Sequence, residues 1–156
     1  MDMPTISGSG LPDGSLRDRI GASRVGRMAT VRADGTPHVV PVTFAISNDT
    51  LVTAIDAKPK RTTNLQRLQN LRANPAVSIV VDHYADDWSA LWWIRIDGLA
   101  TVVEDDDVVG DAPERTAAIE ALVAKYPQYQ ASAPDGPVII VQPTHWTVWS
   151  ADELRP

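Results

Sequence analysis

The sequence predicts a mainly β fold: six antiparallel strands that close toward a barrel, with two or three helices at its periphery. Three observations carry this. Strand signals succeed one another through residues 28–55 with only tight turns between them, and such meanders readily close into barrels. Long β segments return in the second half, at residues 77–82, 91–103 and 138–149. Helical spacing is confined to short stretches between these strands.

Residues 1–14 are rich in Gly, Pro and Ser and read as a flexible tail, leaving residues 15–156 as one domain. Ser15 can cap a short helix that carries Leu16 and Ile20 on one face and ends near Gly21. Residues 28–32 form the first strand. The turn Ala33-Asp34-Gly35-Thr36 follows, with Gly35 supplying positive φ. Residues 38–46 form the second strand, β-branched at Val39, Val40, Val42 and Thr43. Pro37 and Pro41 lack ladder donors, so this strand belongs at an edge or carries a bulge near Pro41. The third strand spans residues 50–55. Leu65, Leu68 and Leu71 then recur as one helix face, stopped by Asn74-Pro75. Residues 77–82 are nearly all apolar, hence a buried strand. The long segment 91–103 bends at Gly98, and the acid run 104–107 turns the chain. Asp111-Ala112-Pro113-Glu114 starts a helix, with Ile119, Leu122, Val123 and Tyr126 on its buried face. Pro127 ends it. In the last strand, Pro143 implies a bulge or an edge.

Composition excludes several function classes. No apolar run approaches the ~20 residues of a membrane span. The N-terminus lacks the apolar core of a signal peptide. There is no cysteine, so disulfides, thiolate catalysis and zinc–sulfur sites are ruled out and a reducing, cytoplasmic location is expected. The net charge of −6 argues against nucleic acid. GxSxG, Walker A and GxGxxG motifs are missing.

One segment breaks the acidic pattern. Residues 57–81 hold Lys58, Lys60, Arg61, Arg67 and Arg72 and no acid, so they carry +5 while the remainder of the chain carries −11. A turn whose lysines serve only solubility would look similar. Here, however, the acids vanish over a long stretch, Thr62 and Thr63 add hydroxyl donors, and a helix N-terminus begins, whose dipole favours an anion. The segment therefore reads as the holder of a cofactor phosphate. Arg67 and Arg72 lie further along the helix, as surface charge or as contacts to a longer anionic tail. The five tryptophans all fall in the second half, and adjacent Trp92 and Trp93 point to opposite strand faces; packing in core and interface is their default role. His38, His83 and His145 show no metal-ligand spacing, and the acids at 104–107 lack calcium-loop spacing. No side-chain constellation for catalysis is present, which suits a protein whose chemistry belongs to a bound ring.

The segments RMATVRADGTPHVVPVTFAI, TAIDAKPKRTTNL, NPAVSIVVD and LWWIRIDGLATVV, with the closing VIIVQPTHWTVWSA, resemble in order the pyridoxamine 5′-phosphate oxidase-like split β-barrels. More narrowly, they resemble the actinobacterial flavin/deazaflavin oxidoreductases that depend on coenzyme F420. The resemblance covers residues 16–151 or so. It implies a six-stranded antiparallel split β-barrel and a homodimer with two cofactor sites at the subunit interface. It places the phosphate on Lys58, Lys60, Arg61 and Thr62, with Asn64 assisting, and the ring system along Val42, Thr43, Thr53, Ala54 and Ile55; from the opposite strand faces of the adjacent tryptophans, Trp93 is a candidate ring contact. The implied activity is a reductase that passes a hydride from reduced F420 to an electron-poor small-molecule acceptor. The alternatives are an FMN flavoprotein of the same class and a protein that binds F420 or flavin without turnover. The chain lacks the arginine-bearing C-terminal segment with which pyridoxamine phosphate oxidase grips its substrate, which argues against that substrate.

Overall fold

The computed structural model describes residues 5–56, 65–104 and 112–152. Among them are eight strands: β1 (Ile6–Ser9), β2 (Gly26–Val31), β3 (Pro37–Val42), β4 (Ala45–Ser47), β5 (Thr50–Ala54), β6 (Ala76–His83), β7 (Trp92–Val103) and β8 (Val138–Ser150). The helices are α1 (Gly14–Ala22), α2 (Gln66–Ala73), α3 (Pro113–Lys125) and the short α4 (Pro127–Ala131). All strand pairs are antiparallel, in the order β3-β2-β6-β7-β8-β5-β4, and β1 adds to β8. β3 and β4 end opposite sides of that order, yet only Thr43 and Phe44 separate them. Two residues span roughly 7–11 Å, so the sheet must curl until its edges meet: a split barrel.

The count differs from the six strands expected, for two reasons. The single strand read at residues 38–46 is two. Its first part pairs with β2, and beyond Val42 the chain changes partner to β5. In addition, residues 6–9, within the stretch read as a tail, pair with β8 as β1. The short helix expected to be capped by Ser15 has Asp13 at its cap position, two residues earlier, and starts at Gly14.

Period-two burial sets the interior. Met28, Ile79, Val81, Ile94, Ile96, Ile139, Val141 and Val148 point inward, with Phe44, Ile20 and the α2 residues Leu68 and Leu71 closing the core. A second cluster lies outside the barrel wall, where Ala118, Leu122 and Tyr126 of the α3 segment cover Ala45, Val52, Ala54 and Val138. β5 is therefore covered on both faces. The bend expected at Gly98 is a register shift: Asp97 faces His145, and Gly98 faces Pro143. A Cβ on Gly98 would sit 2.4 Å from the Gln142 carbonyl oxygen, so only glycine fits.

Candidate functional site

A cleft of about 630 Å³ opens where four elements meet, lined by Arg24, Thr43, Asp56, Tyr126, Pro127, Gln128 and Tyr129. Arg24 comes from the α1–β2 turn, Thr43 from the β3–β4 junction and Asp56 from the end of β5. The rest belong to the α3–α4 corner, where Pro127 stops α3 and starts α4. Tyr126, Pro127 and Tyr129 give it apolar and aromatic walls, and Arg24, Thr43, Asp56 and Gln128 add polar groups; a concavity of this size range suits a small molecule.

Two side chains hold the corner to the barrel. The Tyr126 hydroxyl accepts from the Phe44 amide (3.0 Å) and can donate to the carbonyl of Arg24 (2.8 Å) or of Phe44 (2.9 Å). Burial raises its pKa, so it stays a neutral hydrogen-bonding group. The Lys125 Nζ donates to the Ser23 carbonyl (2.6 Å) and the Phe44 carbonyl (2.8 Å), and lies 4.0 Å from the centre of the Phe44 ring. Burial, and secondarily the neighbouring Arg24, push its pKa down to about 8. Arg24 in turn donates to the Lys125 carbonyl (2.8 Å) and lies 5.8 Å from the Tyr126 ring centre. Tyr126 and Tyr129 meet edge to face. The Tyr129 hydroxyl and Thr43 Oγ1 are 3.1 Å apart, leaving a hydroxyl pair at the cleft wall.

Of the residues expected along a ring, Thr43 lines the cleft. Thr53 stands directly behind it, buried, its hydroxyl donating to the Thr43 carbonyl at 2.6 Å. Val42 is buried in the barrel core and Ala54 beneath α3. Ile55 is buried, and its backbone exchanges hydrogen bonds with Pro137 and Gly136. Trp93 is away from the cleft. Trp92 packs on the core, so Trp93 faces outward, opposite Asp82 and Trp149. Lys58, Lys60, Arg61, Thr62 and Asn64 lie outside the described residues. The basic segment nevertheless follows directly on Asp56, a cleft residue. Further along it, Arg72 pairs with Glu104. Arg67 is different: burial lowers its pKa, and its buried Nε has no partner among the described residues.

Arg24, Asp56, Lys125, Tyr129 and the bonding role of Tyr126 escaped the sequence reading. One signal was present. The chain holds three tyrosines, and two stand within four residues, straddling Pro127 beside Lys125. Among the described residues, no three His, Asp or Glu groups are placed to hold a metal, and no helix is long and apolar enough to cross a membrane.

The family described as pyridoxamine 5′-phosphate oxidase matches residues 13–150. No curated protein matches the chain. Among solved structures, the chain is similar to a conserved hypothetical protein from Mycobacterium tuberculosis, with TM-score 0.70 and 19% identity over 94% of this chain and 91% of that one. It is similar to an F420 reductase, with TM-score 0.61 and 26% identity over 86% and 97%. It is also similar to a FAD-binding protein from Mesorhizobium loti, with TM-score 0.60 and 24% identity over 96% and 100%.

Proposed function

Because the chain belongs to the pyridoxamine 5′-phosphate oxidase family, we propose that it is a cytoplasmic oxidoreductase that binds coenzyme F420 and reduces an electron-poor small molecule. The observation that carries this reading is the position of the cleft. It is bounded by Thr43 and by Asp56, and the sequence runs from Asp56 straight into the +5 segment. A ring in the cleft thus has the phosphate-binding chemistry of Lys58, Lys60, Arg61, Thr62 and Asn64 next to it in the chain. The residues present fit such a ligand. The walls are partly aromatic, and the Thr43–Tyr129 hydroxyl pair can bond a ring carbonyl. The likeness to an F420 reductase is consistent with a deazaflavin, and the likeness to a FAD-binding protein is equally consistent with a flavin.

When bound, reduced F420 supplies a hydride in a two-electron step. The chain's own contribution is positional. Tyr126 and Lys125 fix the cleft wall, Thr53 holds the Thr43 backbone, and the basic segment anchors the charged end. No side chain is assigned as proton donor. We place the ring contacts of Val42, Ala54 and Ile55 on backbone atoms, since their side chains are committed to the core. The proposal includes a homodimer that completes the cofactor site. Its supporting feature is the outer sheet face, where Val39 is 60% exposed beside Ala29 and where Trp93 and Trp149 adjoin; Trp93 then belongs to that interface.

A second reading, an FMN protein, is favoured by the family match itself. Purification and titration separate the readings. A colourless protein that changes the fluorescence of added F420 and oxidises reduced F420 with a quinone or enone acceptor supports the first. A tightly bound yellow flavin supports the second, and F420 binding without acceptor-dependent turnover identifies a carrier.

A further inference from the structure

A second concavity lies on the other side of Arg24. This groove, of about 360 Å³, is lined by Ala22, Ser23, Arg24, Val25, Arg27, Asp82, His83 and Trp92. Its chemistry differs from that of the cleft. Four cations gather around the α1–β2 turn. Arg24 and Arg27 line the groove, Arg19 lies 4.8 Å from the centre of the groove-lining Trp92 ring, and the Lys125 Nζ bonds the carbonyl of groove residue Ser23. Among the described residues one carboxylate answers them: Asp82, paired with Arg27 at 2.5 Å. Among the described residues neither Arg19 nor Arg24 has a carboxylate partner. Arg24 offers one N–H to the Lys125 carbonyl and keeps the others. The floor is apolar, with Trp92 half-buried and Val25 41% exposed in a site that a hydrophobic guest would cover.

Of these cations only Arg27 has a carboxylate partner among the described residues, and the charge of Arg24 contributes to lowering the Lys125 pKa. In a chain of net charge −6 such a cluster is a focused positive field that an anion would relieve. Arginine also prefers planar anions, which it binds as a fork, and stacks on aromatic rings. We propose that this groove binds a planar aromatic carboxylate, its ring on Trp92 and Val25 and its carboxylate on Arg24 and Arg19. Arg24 borders both concavities, so this ligand would sit alongside the ring cleft, as the acceptor class for the reaction proposed above. That last step rests on the functional reading; the binding does not.

The test is equilibrium binding of 2-naphthoate to the whole protein, followed by calorimetry, with the uncharged 2-naphthylmethanol as comparison. The expected result is naphthoate binding about tenfold or more tighter than the alcohol, a preference that shrinks with added salt. Arg19→Gln should weaken naphthoate about fivefold or more, leave the alcohol unchanged and leave F420 affinity unchanged. Trp92→Phe should weaken both naphthyl compounds. Equal affinity for acid and alcohol, or full naphthoate affinity in Arg19→Gln, overturns the groove. Failure of F420 to bind wild-type protein, with naphthoate binding intact, would sink the functional reading alone.

Discussion

Lys125 ties together three parts of the chain that are far apart in sequence: its own helix, Ser23 and Phe44. Its amine is held partly out of water and titrates near pH 8 rather than at the 10.5 of a free lysine. Between those values the unfolded chain binds more protons than the folded one, so this group makes stability rise with pH across the window. Denaturant midpoints taken from about pH 8 to about pH 9.5, below the ordinary range of tyrosine ionisation, should therefore climb more in wild-type protein than in Lys125→Met. Parallel curves would refute the assignment. Tyr126→Phe removes a buried hydroxyl that serves the Phe44 amide and the Arg24 carbonyl. Such a loss costs about 1–3 kcal/mol, to be read by thermal or denaturant unfolding; an unchanged midpoint would show that the hydroxyl is not a structural tie. Thr43 was expected near a ring only through the resemblance, and the structure puts it on the cleft wall. Arg24 and Lys125 could not be found from sequence, since the bond between them closes over 101 positions and nothing in either neighbourhood announces it.

The elements divide in the same way. Apolar runs, long β-rich stretches and leucines recurring every three residues are local signals, so β6, β7, β8 and the buried face of α2 follow from them directly. Gly98 and Pro143 marked the irregular point of the β7–β8 ladder because each lacks something a regular ladder position requires: a side chain in one case, an amide hydrogen in the other. Gly98→Ala should prove strongly destabilising, by about 2 kcal/mol or more, because its Cβ would meet backbone rather than a movable side chain. Retention of the wild-type melting temperature would mean the ladder relaxes there. The division of β3 from β4 was not legible. Residues 38–46 have continuous strand propensity, and the break reflects a change of partner from β2 to β5, a tertiary event. β1 was hidden for a related reason. Its sequence, Ile-Ser-Gly-Ser, is poor in strand formers, and its pairing depends on β8, where Gly8 lies against the Trp146 ring.

At the scale of the molecule, curling of the sheet brings Thr43 beside Asp56, and α3 with α4 completes a cleft at the seam. The proposed dimer would use the outward sheet face around Val39. Val39→Asp there should shift the protein from dimer to monomer in light scattering and lower cofactor affinity, whereas an unchanged mass would place the interface elsewhere. The central claim is that the basic segment after Asp56 grips the charged end of a redox ring seated in the cleft. Its most direct test is a fluorescence titration of F420 into wild-type protein and into the double variant Lys58→Ala with Lys60→Ala. Loss of two charge-assisted contacts, each about 1.5–3 kcal/mol, predicts well over tenfold weaker binding with the melting temperature preserved. Equal affinity in the two proteins would contradict it.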